Sequence, residues 1–259
     1  MNYFIDVQGT LIDDLHRQPV RGSREFIDYL NSENIPYMVI TNNTKRKSGD
    51  FLAYLNDIGL NISSQHYLDP LMLLKTALTE ERIAAYGSEP FLRIVESLGY
   101  KLDYENPESV LIAIKEDFSA DEYAQMIEFL LKGSTLVGMH ETALYAKNSK
   151  RYPGVGAILK MLQFATSASY EVLGKPGRAF YDEALRLLRL QDNGASFNEV
   201  TIISDDVKGD LAGAKELGMK TAFVLSGKYR SADEIIPYLN PQERPDGVYS
   251  DMQAYRESL

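Results

Sequence analysis

At 259 residues and 44% apolar content, the chain is long enough for one or two packed domains and too apolar for a disordered one. Its 27 basic and 37 acidic side chains give a formal charge of −10. That charge disfavours nucleic acid as a partner but not a phosphorylated substrate, which a cation can neutralise locally. There is no cysteine, which removes disulfides, thiolate catalysis and Cys-ligated metals; no run is apolar enough to span a membrane, and Met1-Asn2-Tyr3 starts no signal peptide, so a cytoplasmic protein is expected.

Short β-rich runs alternate with amphipathic helical patterns, which predicts a mainly parallel sheet covered by helices. The first strand, Tyr3–Ile5, ends abruptly in Asp6-Val7-Gln8-Gly9-Thr10-Leu11. A carboxylate at the carboxyl end of a strand stands where open α/β sheets bind ligands. With Gly9 allowing close approach, Asp6 can be a nucleophile toward phosphorus. Ser23 is placed to cap a helix with Phe26, Ile27 and Leu30 on one face. Strand Tyr37–Ile40 ends in Thr41-Asn42-Asn43-Thr44, whose first hydroxyl can hydrogen-bond a phosphoryl oxygen.

Arg82–Tyr86 and Val110–Ile114 read as further strands. Ser119 and Glu122 form a capping box ahead of Tyr123, Met126, Ile127 and Leu130 at helical spacing. Gly174-Lys175-Pro176 fixes a lysine in a turn before a helix expected over Phe180–Leu190, and an ammonium so held can face a phosphate and a carboxylate. Strand Val200–Ile203 runs into Ser204-Asp205-Asp206-Val207-Lys208-Gly209-Asp210. Carboxylates crowded into one loop suit a hard divalent cation with oxygen ligands. Thr221–Leu225 is the last expected strand, and Ser231 with Glu234 forms a second capping box. Residues 1–78 and 169–259 carry the Asp-ending strands, whereas 79–168 have strands and helices of their own. An inserted domain is therefore expected.

The four polar strand ends and turns, in this order, resemble the four motifs of the haloacid dehalogenase (HAD) superfamily. Thr41-Asn42-Asn43, Gly174-Lys175-Pro176, Tyr152-Pro153-Gly154-Val155-Gly156-Ala157 and Ser226-Gly227-Lys228-Tyr229 are similar to its type IIA (C2 cap) subgroup. The Asp-Asp-x-x-Gly-Asp spacing from Asp205 looks most like the phospholysine/phosphohistidine/inorganic pyrophosphate phosphatase branch, beside the nitrophenylphosphatase-like one. The resemblance covers essentially the whole chain. A response-regulator receiver would place its acidic pair first, and a dinucleotide loop would need a third glycine where Leu159 stands.

This resemblance implies an α/β fold: a Rossmann-like parallel-sheet core over 1–78 and 169–259, with an inserted α/β cap over 79–168. It implies Asp6 as nucleophile, Thr41 and Lys175 on the phosphoryl oxygens, and Mg²⁺ held by Asp6, the backbone carbonyl of Gln8 and Asp205, with Asp210 behind. Asn42 and Asn43 would lie beside the substrate, and the cap residues His140 and Glu141, followed by Tyr145 and Lys147, would contact it. The family's second aspartate is Gln8 here, and its Gly before the fourth motif is Ser204. An amide cannot act as acid or base. The expected function is a weak Mg²⁺-dependent phosphatase of small phosphorylated molecules that favours good leaving groups. A phosphate-binding sensor and a phosphotransferase are the alternatives. Relatives of this type often dimerise through the cap, so a homodimer is compatible with the resemblance.

Overall fold

The structure, a computed structural model, describes residues 1–147 and 150–259, and the side chains of Ala146 and Lys147 also lie outside the description. The side chain of the candidate Lys147 is thus outside the description. In chain order, β1 (Asn2–Asp6), α1 (Ser23–Ser32), β2 (Tyr37–Ile40), α2 (Ser48–Asp57) and β3 (Tyr67–Leu68) come first. They are followed by α3 (Pro70–Ala77), β4 (Arg82–Tyr86), α4 (Glu89–Ser97), β5 (Lys101–Leu102), β6 (Ser109–Ile112), α5 (Ala120–Leu131) and β7 (Thr135–Gly138). Next are β8 (Leu144–Lys147), β9 (Lys150–Pro153), α6 (Val155–Thr166) and β10 (Tyr170–Val172). The chain closes with α7 (Arg178–Leu188), β11 (Val200–Ser204), α8 (Ala212–Glu216), β12 (Lys220–Val224), β13 (Gly247–Tyr249) and α9 (Met252–Glu257).

Two compact units result. The first comprises Met1–Thr41, Gly49–Leu68 and Tyr181–Leu259, and the second Asn42–Ser48 and Asp69–Phe180. In the first, parallel strands run in the order β13-β12-β11-β1-β2-β3. Alternation sends Tyr3 and Ile5 of β1 to one face, against Phe26, Ile27 and Leu30 of α1 and Met252 and Tyr255 of α9. Phe4 points the other way, its ring stacked on Tyr181 of α7 at 6.4 Å between centroids. Both faces are covered, which is why the strand is continuously apolar; each such side chain contributes about 1.5–3 kcal/mol by burial.

Leaving β1, the chain adds β2 and β3 on one side and returns to place β11, β12 and β13 on the other. The order therefore reverses between β1 and β11.

The second unit repeats this logic with parallel strands in the order β10-β7-β6-β4-β5. Leu71 and Leu74 of α3 and Phe91 and Ile94 of α4 pack on Ile83, Ala85 and Leu111. Met126 and Phe129 of α5 and Ile158 and Leu159 of α6 pack on the opposite face, against Ala84, Val110 and Ile112. An antiparallel hairpin, β8 with β9, completes the unit. Tyr170–Val172, just past the expected boundary at residue 168, pairs with β7 in this sheet.

Strands β2 and β4 have the expected ends, and the Ser119–Glu122 capping box opens α5. Ser23 is not the N-cap of α1. Gly22 takes that place at φ 84°, because a Cβ there would sit 2.2 Å from the backbone nitrogen of Gln253. The Ser231–Glu234 capping box opens only a single 3₁₀ turn, Ala232–Glu234. The turn stops at Ile235, whose φ of −135° leaves helical geometry, and a second 3₁₀ turn, Ile236–Tyr238, starts after it.

Candidate active site

In the first unit, Asp6 ends β1 in register with Ile40 of β2, while Ile5 aligns with Ile203 of β11. Asp6, Thr41 and Asp205 thus leave the carboxyl ends of three adjacent strands, where the sheet order reverses and α/β proteins bind ligands. They are 5%, 0% and 6% exposed respectively.

Asp205 is held from several sides. Its backbone N–H donates to Thr10 Oγ1 at 3.1 Å, and its Oδ2 accepts the backbone N–H of Lys228 at 2.6 Å. Two glycines make room for this carboxylate. A Cβ on Gly9 (φ +75°) would lie 2.1 Å from Asp205 Oδ2, and one on Gly227 would lie 2.0 Å from it. Burial, and then the negative charge of Asp6, push the Asp205 carboxyl well above the ordinary carboxylate range. Asp206 turns away to accept Lys228 Nζ at 2.8 Å and the Gly209 N–H at 2.9 Å. Asp210, 5% exposed, accepts from Ser204 Oγ at 2.7 Å. Ser204 therefore ties the end of β11 to the acidic loop. Gln8 is engaged as well: Thr41 Oγ1 donates to its Oε1 at 2.9 Å.

No group of three or more His, Cys, Asp or Glu side chains that could hold a metal occurs among the described residues. Two buried carboxylates that repel each other remain. Completed by a main-chain carbonyl, substrate and water, they fit a hard divalent cation of the Mg²⁺ type, which would relieve the repulsion.

In the second unit, Lys175 is 2% exposed. Asn42 grips its backbone from both ends: Lys175 N–H donates to Asn42 Oδ1 at 2.8 Å, and Asn42 Nδ2 donates to the Lys175 carbonyl at 3.2 Å. Gly174 permits the approach, since a Cβ there would meet Asn42 Oδ1 and the Met139 carbonyl at 2.5 Å. Asn43 Nδ2 donates to the Arg46 carbonyl at 2.8 Å and to Asp69 Oδ2 at 3.2 Å, and Asp69 caps α3. Both amides, expected beside a substrate, are thus engaged with the chain itself. His140 is buried with Nδ1 2.6 Å from Thr142 Oγ1. Burial, then the charges of Lys175 and Lys45, push its pKa down to about 4, so the imidazole is neutral at physiological pH. Glu141 accepts from Tyr170 Oη at 2.5 Å and lies 3.7 Å from Lys160 Nζ.

Lys228, Thr10 and Ser204 received no role from the sequence, although Ser226-Gly227-Lys228-Tyr229 already stood out by its family pattern. What Lys228 gives Asp205 is a backbone N–H, which any residue but proline could supply, so residue type carries no signal.

The same segments stand out in comparison with known proteins. Residues 3–101 match the family model of haloacid dehalogenase-like hydrolases, and residues 172–254 match a second, HAD-hydrolase-like, model. The haloacid dehalogenase-like hydrolase domain-containing protein 2 of Bos taurus is 28% identical over 253 residues, 94% of this chain and 93% of that protein. The phospholysine phosphohistidine inorganic pyrophosphate phosphatase of Homo sapiens is 27% identical over 256 residues, 96% of this chain and 90% of that protein. Among solved structures, the p-nitrophenyl phosphatase from Archaeoglobus fulgidus shares the fold, with a TM-score of 0.83 at 20% identity over 100% of this chain and 98% of that one. The two matched segments carry Asp6, Thr41, Lys175 and Asp205 between them, and the chain belongs to the haloacid dehalogenase-like hydrolase family.

Proposed function

We propose that the chain is a Mg²⁺-dependent phosphatase that hydrolyses small phosphorylated compounds through an aspartyl-phosphate on Asp6. The observation that carries this reading is the pair of buried carboxylates, Asp6 and Asp205, at the order reversal of a parallel sheet with Thr41 on the neighbouring strand. Relatives named as phosphatases of pyrophosphate and of p-nitrophenyl phosphate support the substrate class. On this reading residues 1–78 and 169–259 are the catalytic core and residues 79–168 the inserted cap.

An Asp6 oxygen attacks phosphorus, the bond to the leaving group breaks, and water then displaces phosphate from Asp6. Asp6, the Gln8 backbone carbonyl and Asp205 would hold Mg²⁺, with Asp210 behind them, and the ion supplies positive charge against the phosphoryl oxygens. Thr41 and Lys175 bind those oxygens. Asn42 positions Lys175 through their paired hydrogen bonds, and Asn43 fixes the adjoining loop. His140, kept neutral, offers a hydrogen bond rather than a charge.

Gln8 leaves the leaving group without a carboxylic acid. General acid–base help is worth about 10²–10⁴-fold, so its loss weakens the enzyme most where the leaving group is a basic alkoxide. Aryl and acyl phosphates, pyrophosphate and protonated P–N bonds need less help.

The test is phosphate release from p-nitrophenyl phosphate, pyrophosphate and acetyl phosphate, with and without Mg²⁺, in wild type, Asp6→Asn and Gln8→Asp. Mg²⁺-dependent turnover lost in Asp6→Asn is expected. Activity that survives Asp6→Asn, or that ignores Mg²⁺, would sink the reading. The Gln8–Thr41 hydrogen bond favours one second reading, a phosphate sensor, which would show ligand-induced stabilisation without turnover until Gln8→Asp restores it.

A further inference from the structure

Lys228 gives Asp205 a backbone N–H, and its side chain reaches the neighbouring carboxylate, with Nζ donating to Asp206 Oδ2 at 2.8 Å. One residue thus holds two adjacent aspartates, one by its backbone and the other by its ammonium. The segment that carries it is anchored on both sides. Ser226 Oγ donates to the Gly9 carbonyl at 2.7 Å, and the Tyr229 ring stands edge-on to Phe223 of β12 at 6.0 Å between centroids. The Arg230 backbone N–H donates to Glu234 Oε1 at 2.9 Å. The ammonium therefore reaches out from a fixed point.

Asp206 is placed to receive it. Its Oδ1 accepts the Gly209 N–H at 2.9 Å and so caps the turn Val207–Leu211, and its own N–H donates to Ser204 Oγ at 3.1 Å. Gly209 leaves room for the other oxygen, since a Cβ there would lie 2.4 Å from Asp206 Oδ2. Asp206 is also near enough for its charge to act on Asp205. Beside a cation site, a further carboxylate has consequences for which ion binds. Mg²⁺ demands a small octahedron at about 2.0–2.1 Å and keeps several waters, whereas Ca²⁺ accepts six to eight oxygens at about 2.3–2.6 Å, bidentate carboxylates among them. An extra carboxylate that swings inward therefore favours Ca²⁺ more than Mg²⁺.

We propose that Lys228 is a positioning residue for the cation site: by holding Asp206 away from Asp205 it keeps that carboxylate out of the metal's coordination sphere and sets a preference for Mg²⁺ over Ca²⁺. The inference rests on the reading of Asp6 and Asp205 as metal ligands made above. The Lys228–Asp206 pair is partly exposed, so its hold amounts to a modest factor and not an absolute bar. A bare positive charge would act differently. It would oppose both divalent cations alike, and its loss would tighten both without changing their ratio. The ratio of the two affinities therefore separates positioning from charge.

The experiment reads cation binding without turnover. Mn²⁺ binding is followed by electron paramagnetic resonance, and the affinities of Mg²⁺ and Ca²⁺ by displacement of Mn²⁺. The proteins are wild type, Lys228→Met and the double variant Lys228→Met/Asp206→Asn, each checked by thermal melting. Lys228→Gln carries the same expectation and serves if the methionine variant melts early. In Lys228→Met the ratio of Ca²⁺ to Mg²⁺ affinity is expected to rise about three- to tenfold, the weight of a partly exposed charged hydrogen bond. The double variant has lost one charge of each sign together with the released carboxylate, and its asparagine keeps the oxygen that caps the turn. Its ratio should return to that of wild type. An unchanged ratio in the single variants, a raised ratio that persists in the double variant, or a wild type that binds none of the three ions overturns the proposal. Cations bound with the expected ratios, but no phosphate released from any substrate, would instead defeat the phosphatase reading and keep this one.

Discussion

Gly227→Ala isolates the geometry around Asp205 with the smallest possible change. The backbone at Gly227 is outside the left-handed region, so alanine meets no conformational penalty there. Its Cβ, however, would stand 2.0 Å from Asp205 Oδ2 and 2.4 Å from Gly9 Cα. Ordinary contact begins at 3.4 Å, so the carboxylate would have to retreat by about 1.4 Å. Misplacing a reacting group by ~1 Å can cost about 10²-fold in rate, and overpacking costs about 1–3 kcal/mol of stability. The assay is phosphate release over a Mg²⁺ titration, beside a thermal melt. A loss of about two orders of magnitude at limiting Mg²⁺, partly recovered at high Mg²⁺, is expected. Gly49→Ala is the control: a Cβ there meets nothing within 4 Å, and alanine suits its helical position in α2. Wild-type activity and Mg²⁺ dependence in Gly227→Ala would refute the idea that the glycine exists to seat this carboxylate.

Gln8→Asp should raise turnover on high-pKa leaving groups by up to ~10²–10⁴-fold, with a smaller gain on p-nitrophenyl phosphate; equal gains on both would show that proton transfer is not what limits the enzyme. Asp6→Asn should abolish turnover, and trapping with labelled substrate should no longer yield a phosphoenzyme. His140 has its pKa pushed from 6.5 to about 4, so the unfolded chain binds more protons between those values and stability falls as pH drops through that window. His140→Gln should flatten the acid side of the stability curve, and in wild type the His140 ring resonances should stay neutral down to about pH 5 by NMR. Ser119→Ala removes the cap of α5, where the Ser119 and Glu122 side chains each accept the other's backbone N–H, and should cost about 1 kcal/mol by denaturant melt.

Sequence periodicity reached the long, doubly buried strands and the helices between them. Tyr37–Ile40 and Arg82–Tyr86 were legible to the residue because each is an apolar run stopped by a polar turn. Tyr67–Leu68 and Lys101–Leu102 were not, since two residues have no periodicity and pair only because a sheet edge is already there. The N-cap of α1 lies one residue before its obvious candidate, because packing against Gln253, some 230 residues away, demanded glycine at position 22. The Asp6, Thr41 and Asp205 cluster was readable because a polar side chain at a strand end is conspicuous. The engagement of Asn42 and Asn43 with backbone was not, because an amide that binds a substrate and one that binds a neighbouring loop are written with the same letter.

On the phosphatase reading proposed above, the hydrogen bond from Thr41 to Gln8 sets how a phosphoryl group arrives. A hydroxyl has one proton, and here it is already directed at an amide oxygen. A newcomer must therefore exchange for that acceptor rather than add to it. Water and neutral carbonyls offer nothing stronger than the amide they would replace. A phosphoryl dianion does, because hydrogen bonds to ionised acceptors are roughly twice as strong as neutral ones. The resting contact thus acts as a threshold on acceptor strength, one that selects for charge before any shape is read.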